Sequence, residues 1–158
     1  FLCAATHVDL VMVDPPVSGP GRRAYPSKLP WYTDSIAMAR KGCSADDMRA
    51  FCPSWTLEQL QLRAEWLHTC QLDAIRTAFD GFHTDDIHAD LAQVTAPARL
   101  VVAGGATVIG ADDIDEICRL KPDIEVRIVE KAGHMIPWDD LEGFLSATLD
   151  FHPIRPTN

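Results

Sequence analysis

Two short apolar segments in the second half of the chain constrain the fold most. Arg99–Ala103 (RLVVA) and Ile124–Val129 (IEVRIV) both carry the branched apolar side chains typical of strands. A helix is predicted between them, from about Asp112 to Leu120. A strand, a helix and a second strand in this order form a crossover between parallel strands. The sequence therefore predicts an α/β fold with a parallel sheet, whose ligands lie beyond the carboxyl ends of the strands.

Another strand is predicted near the start of the chain, within Asp9–Asp14 (DLVMVD). Its continuous apolar run is typical of a strand that is buried on both faces. The segment Pro15–Gly21 is rich in proline and glycine and ends this strand. We also expect a helix end at Phe1–Thr6, a last helix over Leu141–Phe151, and a loose tail over His152–Asn158.

The segment from Trp31 to Phe82 has a helical pattern throughout. Ser44 is a candidate helix cap, and Thr56–Gln59 (TLEQ) is a candidate capping box at the start of a longer helix. The expected organisation is therefore residues 1–14 as a helix end and core strand, 15–85 as a helical cap, and 86–158 as the C-terminal part of the core.

Composition restricts the partners of the chain. It has 158 residues, with 23 Asp and Glu against 14 Lys and Arg, and this acidic balance disfavours nucleic acids and anionic membranes. No apolar run approaches the roughly 18 residues that span a bilayer. The five cysteines form no CxxC pair, and we find no signal peptide, so a cytoplasmic location is expected. The expected partner is a small-molecule substrate, with no metal or organic cofactor.

His134 lies in the segment Ala132–Trp138 (AGHMIPW), between the last predicted strand and a helix. A histidine on such a loop is well placed for proton transfer near neutral pH. This segment resembles the histidine loop of α/β-hydrolases, and Asp86–Gly104 resembles the return of the chain from lid to core in that family. The resemblance covers nearly the whole chain. It implies the C-terminal half of an α/β-hydrolase, with His134 as the catalytic histidine.

A narrower resemblance is to the deformylases of this family, which cleave a formyl group from an amide nitrogen in nicotinic acid breakdown. The matching segments are Val13–Tyr32, Arg63–Cys70 and Ala132–Leu141. The first segment implies that Asp14 is the acid partner of His134.

The residues themselves offer one check on this assignment. Most α/β-hydrolases carry the acid in the loop after the next strand, here Gly104–Ile109, and that loop contains no carboxylate before Asp112. We expect Asp112 at the start of the following helix, where a carboxylate is favoured by the helix dipole. Asp14 is therefore the better candidate, although a carboxylate at a strand end can also simply stabilise a turn.

No Gly-x-Ser-x-Gly nucleophile motif occurs in the sequence. We therefore expect the intact protein to be a serine-dependent amidase of the deformylase kind, and the isolated chain to be inactive. Two alternatives stay open. One is an esterase or carbon–carbon hydrolase acting on a small acid, and the other is a non-catalytic fragment.

Several other residues are weaker candidates. Ligand-type side chains lie close together between residues 83 and 90, namely His83, Asp85, Asp86, His88 and Asp90. A metal site is conceivable there, but a turn at Asp86 is the preferred interpretation. Three arginines, Arg22, Arg23 and Arg63, could meet a substrate carboxylate, although solvated surface positions are preferred for each of them. The pairs Asp46–Asp47 and Asp139–Asp140 are interpreted as acids in the first turn of helices.

Overall fold

The computed structural model describes residues 9–151. The helix end expected at Phe1–Thr6 and the tail expected at His152–Asn158 lie outside these residues. The chain divides into two compact units: one contains the residues up to Arg23 and those from Asp86 onward, and the other is Ala24–Asp85. No helix of the described residues is long and apolar enough to cross a membrane.

The first unit is built on a three-stranded parallel sheet. Its strands are β1 (Leu10–Val13), β2 (Ala98–Ala103) and β3 (Glu125–Val129), in the order β1-β2-β3. Leu10 pairs with Ala98 across the first ladder, and Arg99 pairs with Glu125 across the second. The prediction of a parallel sheet is confirmed.

The two outer strands of these three are less buried than the middle one. Every residue of β2 is buried, whereas Leu10 to Met12 in β1 are half-buried and Val13 is 37% exposed. The prediction that β1 is buried on both faces is therefore wrong for the described residues. The physical reason is the order of the three described strands. Only β2 has a strand on each side, whereas β1 and β3 each pair with β2 alone.

The helices of this unit follow the predicted βαβ order. They are α5 (Ile87–Leu91), α6 (Ala111–Leu120), α7 (Ile136–Asp139) and α8 (Leu141–Leu149). The last helix ends two residues before the expected Phe151. Its first turn is capped by Asp140, whose side chain accepts a hydrogen bond from the Gly143 N–H. Asp140 is thus a cap residue and not a first-turn acid as expected.

A small apolar core joins the sheet to the last helices. Val101, Ala103 and Val129 of the strands pack with Ile136 and Ala147, and all of them are buried. This core holds the carboxyl ends of β2 and β3 against α7 and α8.

The second unit is all helical. It contains α1 (Leu29–Arg40), α2 (Ala45–Met48), α3 (Leu57–Trp66), a 3₁₀ turn (Leu67–Thr69) and α4 (Leu72–Thr84). No strand occurs between residues 15 and 85, all of which the structure describes. The absence of inserted strands in this region agrees with the helical pattern of the sequence.

Local hydrogen bonds explain where two of these helices begin. Ser44 Oγ accepts from the Asp47 N–H, and the Asp47 carboxylate accepts from the Ser44 N–H. Thr56 and Gln59 exchange the same pair of bonds at the start of α3. Each capping box satisfies donors that a helix start otherwise leaves unpaired. Both caps predicted from the sequence are confirmed.

Candidate active site

The carboxyl ends of the three strands bring the candidate residues together. Asp14 directly follows β1, Gly104 directly follows β2, and the loop of His134 follows β3. Because the strands are parallel, these three ends lie along one edge of the sheet. The site is therefore assembled from positions that are distant in the sequence.

Asp14 is held by several contacts at this edge. Its backbone N–H donates to the Val101 carbonyl, and its Oδ1 accepts from the Ala103 N–H at 3.2 Å. The residue is 1% exposed and adopts a φ of +43°, in the left-handed region that few non-glycine residues occupy. Strained backbone of this kind is frequent at functional sites, where surrounding contacts maintain it.

The other oxygen of Asp14 meets the histidine. Asp14 Oδ2 lies 2.8 Å from Nδ1 of His134, so the two side chains form a hydrogen bond. The expected proximity of these two residues is therefore observed, and Asp112 instead lies in the first turn of α6. The His134 side chain is 40% exposed, which leaves the ring accessible, whereas that of Asp14 is fully buried.

Two glycines allow the loop of His134 to lie close to the end of β2. Gly104 N–H donates to the Val129 carbonyl, and Gly105 N–H donates to the Ala132 carbonyl. A Cβ at Gly104 would lie 2.7 Å from Cα of Glu130, and a Cβ at Gly105 would lie 2.9 Å from the Ala132 oxygen. Any larger residue at these two positions would push the histidine loop away.

A second carboxylate supports the same loop. The Asp139 carboxylate lies against the backbone of Gly133, where a Cβ would be 2.8 Å from Asp139 Oδ2. Asp139 is an exposed residue overall, but burial of its carboxylate against the loop raises the pKa of Asp139, while the nearby Gly133 N–H lowers that pKa in part. The sequence placed Asp139 in a first helical turn, which is where it lies, and gave no signal of this contact.

The residues considered for a metal site have other contacts. No group of three or more histidine, cysteine, aspartate or glutamate residues suited to a metal ion occurs within residues 9–151. Asp86 caps α5 by accepting from the His88 N–H, and its Oδ1 lies 3.0 Å from Nδ1 of the buried His88. The preferred interpretation of Asp86 as the start of a turn agrees with this capping role.

Arg22 and Arg23 are both engaged by carboxylates of α6. Arg22 forms a bidentate pair with Glu116, with distances of 2.8 and 2.9 Å, and also lies 3.4 Å from Asp86. Arg23 pairs with Asp113 at 2.6 Å and donates to two carbonyls in the loop after β2. These contacts fix the segment that follows Asp14 against α6. They also occupy the guanidinium groups that the sequence had left open for a substrate.

This arrangement can act as a general base. With the Nδ1–H of His134 held by Asp14, the imidazole can take a proton at Nε2, and the carboxylate stabilises the charged ring that results. A nucleophile and an oxyanion hole are the remaining components of acyl transfer. No Gly-x-Ser-x-Gly motif in the chain supplies the nucleophile.

A parallel sheet with a carboxylate and a histidine at the carboxyl ends of its strands defines part of an α/β-hydrolase fold, and the similar solved structures agree. No protein-family model matches the chain. A curated relative, N-formylmaleamate deformylase of Pseudomonas putida, is 65% identical over 147 residues, which are 92% of this chain and 55% of that protein. The chain thus spans about half the length of the curated relative that it matches.

Solved structures show the same partial coverage. A crystal structure of an N-formylmaleamic acid deformylase variant from Pseudomonas putida is 64% identical, with a TM-score of 0.86 over 90% of this chain and 56% of that one. An E-2-(acetamidomethylene)succinate hydrolase has a TM-score of 0.63 at 18% identity, over 90% of this chain and 56% of that one. An α/β-hydrolase from a Medee basin metagenome has a TM-score of 0.56 at 10% identity, over 96% of this chain and 58% of that one. The last two similarities concern the fold alone.

Proposed function

We propose that the complete protein is a serine-dependent α/β-hydrolase that removes the formyl group from an N-formyl amide of a small acid. The observation that carries this proposal is the hydrogen bond of 2.8 Å between His134 Nδ1 and Asp14 Oδ2 at the carboxyl edge of a parallel sheet. The 65% identity to N-formylmaleamate deformylase supports the choice of substrate.

The proposed reaction assigns one role to each of these residues. A serine from the part of the fold that this chain does not span attacks the formyl carbon, and His134 takes the serine proton. The carbon–nitrogen bond then breaks, and His134 gives that proton to the leaving amide nitrogen. Water, deprotonated by His134, attacks the formyl-enzyme, and formate leaves as the serine regains its proton.

Asp14 acts through the histidine in this scheme. Its buried carboxylate keeps the proton of the neutral ring on Nδ1, so that Nε2 is the basic nitrogen. The same carboxylate stabilises the imidazolium that forms when the serine is deprotonated. The bond from the Ala103 N–H to Asp14 Oδ1 fixes the direction in which the other oxygen points.

The proposal extends to the setting of the reaction. We assign residues 15–85 to a cap and residues 1–14 and 86–158 to the hydrolase core. The resemblance to deformylases implies the breakdown of nicotinic acid as the pathway, and the five cysteines without a CxxC pair favour the cytoplasm as the location. No metal or organic cofactor takes part in the proposed steps.

Formate release by the complete protein tests the proposal. Purified protein is incubated with N-formylmaleamate, and formate is quantified with formate dehydrogenase. An ester of maleamic acid serves as the competing substrate in a parallel assay. We expect formate release that is lost in His134→Ala, with little ester cleavage. Preferential cleavage of the ester, or formate release that persists in His134→Ala, would contradict the proposed deformylase activity.

A further inference from the structure

The loop that carries His134 is held by a different element at each of three consecutive residues. The Ala132 carbonyl accepts a hydrogen bond from backbone of the loop after β2. The ring of His134 is bound by Asp14, at the end of β1. Between them, the backbone of Gly133 lies against the Asp139 carboxylate of α7, so close that a Cβ at Gly133 would be 2.8 Å from Asp139 Oδ2. All of these residues belong to the first unit, so the arrangement lies within one compact body.

Asp139 is itself fixed in place. Its backbone N–H donates to the Met135 carbonyl at 3.0 Å, within the single turn of α7. Ile136, at the start of α7, is fully buried and packs with the strands in the apolar core. The carboxylate of Asp139 is therefore held against Gly133 by a helix that the core anchors.

Helix formation does not account for an acid at residue 139. Asp140, the next residue, caps α8 by accepting from the Gly143 N–H at 2.9 Å. Asp139 is the last residue of α7, and the carboxyl end of a helix favours cations over carboxylates. The two consecutive acids thus differ in what they contact, since Asp140 satisfies a helix start whereas Asp139 meets the histidine loop.

The charges around His134 come from more than one element. Burial raises the pKa of the Asp139 carboxyl, and a backbone N–H of the loop and the charge of His134 each lower that pKa in part. The attraction between a carboxylate and an imidazolium is mutual, so it also favours the charged ring. Asp14 acts on the same ring from the end of β1. The other charged side chains between β3 and α7, Glu130 and Lys131, are exposed.

We propose that Asp139 is a positioning residue for His134, which holds the backbone before the histidine and favours the charged form of its ring. The inference rests on the proposed function, in which His134 takes the proton of the serine. The imidazolium that forms in that step is stabilised by nearby carboxylates. Asp139 therefore acts on the proton transfer through His134 and not by contact with the substrate.

Formate release by the complete protein tests the effect on turnover. We expect Asp139→Asn to lower kcat for N-formylmaleamate by about 3- to 10-fold, the range of one ordinary hydrogen bond, with KM little changed. Asp139→Glu keeps the charge and is expected to restore part of the loss. Asp140→Asn is the matched control, because it removes the adjacent charge but keeps a side chain that can cap α8. Its kcat is expected to equal that of the wild type.

An NMR titration of the His134 ring separates the charge of Asp139 from a merely structural role, and it needs no substrate. The signal of the ring in the complete protein is assigned by its absence in His134→Gln. Because a carboxylate favours the charged ring, its removal lets the ring stay neutral at lower pH. The midpoint of the titration in Asp139→Asn is therefore expected at lower pH than in the wild type and in Asp140→Asn. Asp139→Glu is expected to return it towards the wild-type position.

The outcomes distinguish this proposal from the deformylase activity. If formate release depends on His134 but Asp139→Asn keeps the kcat and the titration midpoint of the wild type, Asp139 is not a positioning residue and the proposed function stands. A lower kcat with an unshifted midpoint would also overturn the proposal, because it would show a structural role alone. If the wild type releases no formate, the proposed function fails, and the titration still decides whether Asp139 acts on the ring.

A second variant covers the case in which Asp139→Asn does not fold, as judged by circular dichroism. The methyl group of Gly133→Ala would meet Asp139 Oδ2 at 2.8 Å, at the flexible end of the side chain, and would push the carboxylate away. The midpoint for His134 is then expected at lower pH in Gly133→Ala. A midpoint equal to that of the wild type would count against Asp139.

Discussion

His134 Nδ1 and Asp14 Oδ2 are 2.8 Å apart, although 120 residues separate them in the sequence. The contact depends on the strand between them in the sheet, since the Ala103 N–H at the end of β2 binds the other oxygen of Asp14. With both oxygens engaged and the residue buried, the carboxylate has one orientation. The Ala103 N–H thus fixes the carboxylate of Asp14, and this carboxylate in turn fixes the ring of His134.

Replacing Asp14 with asparagine is expected to lower kcat of the complete protein by about 10³- to 10⁴-fold, with a smaller change in KM. The amide keeps the size of the side chain but favours the wrong histidine tautomer and cannot stabilise the imidazolium. Formate release at saturating N-formylmaleamate measures the effect. Asp112→Asn is the matched control, because Asp112 lies in the first turn of α6 and is expected to leave kcat unchanged. If Asp112→Asn lowered kcat and Asp14→Asn did not, Asp112 would be the acid partner of His134.

The 158-residue chain by itself is expected to show no measurable amide or ester hydrolysis. A histidine without a nucleophile or oxyanion hole contributes only general-base assistance, typically about 10²- to 10⁴-fold, which is too little for an amide. The same sequence within a longer protein that contains a Gly-x-Ser-x-Gly motif is expected to be active. Single-turnover assays at high protein concentration compare the two. Hydrolysis by the isolated chain that disappears in His134→Ala would reveal a nucleophile within it.

Gly105→Ala is expected to destabilise the first unit by about 1–3 kcal/mol, the usual cost of forcing extra volume into a filled position. The added methyl would lie 2.9 Å from the Ala132 oxygen, and backbone cannot move aside as a flexible side chain can. Urea unfolding of the wild type and variant measures the difference. Gly81→Ala provides a comparison inside α4, where alanine favours the helix and the added Cβ would meet only the side-chain end of Asp85, at 3.1 Å, so a smaller effect is expected. Equal stability of Gly105→Ala and the wild type would show that the loop has room there.

The pair between Arg22 and Glu116 is expected to stabilise the folded protein near neutral pH and to lose this effect in acid. Its hydrogen bonds hold the pKa of Glu116 below the ordinary value of 4.5. Because the pKa is lower in the folded state, this stabilisation is complete above pH 4.5 and is lost as the pH falls through the folded value. Urea unfolding from pH 7 to pH 3 is therefore expected to show a shallower decline in Glu116→Gln than in the wild type.

A reciprocal variant checks this interpretation. Arg22→Gln removes the same pair from the other side, together with the longer contact to Asp86. It is expected to flatten the pH dependence of the unfolding free energy at least as much as Glu116→Gln does. The double variant is expected to add little to Arg22→Gln, since that change already removes the pair with Glu116. Fully additive effects of the two substitutions would mean that the residues act independently.

Local patterns in the sequence predicted much of the fold. The order β2, α6, β3 follows from apolar runs and helix signals, the cap at Ser44 from its residue type, and the capping box at Thr56 from residues three positions apart. These features depend on neighbours in the chain, which a sequence displays directly. The family resemblance, in turn, indicated the pair of Asp14 and His134.

Long-range contacts could not be predicted in the same way. Arg22 and Glu116 are 94 residues apart, and each alone has the appearance of a solvated surface residue. The close contact of Asp139 with Gly133 was missed because an acid in a short helix has an ordinary local explanation. The stacking of Arg63 on Trp31 and Trp55 is likewise a contact that no local pattern indicates.

The two glycines after β2 bear on how such a scaffold could be redesigned. Backbone of the loop after β3 occupies the space where their side chains would begin, at Gly104 as well as at Gly105. A library that varies Gly104 and Gly105 to reshape the substrate site would displace the loop of His134. It would therefore lower activity before it changed which substrate is preferred.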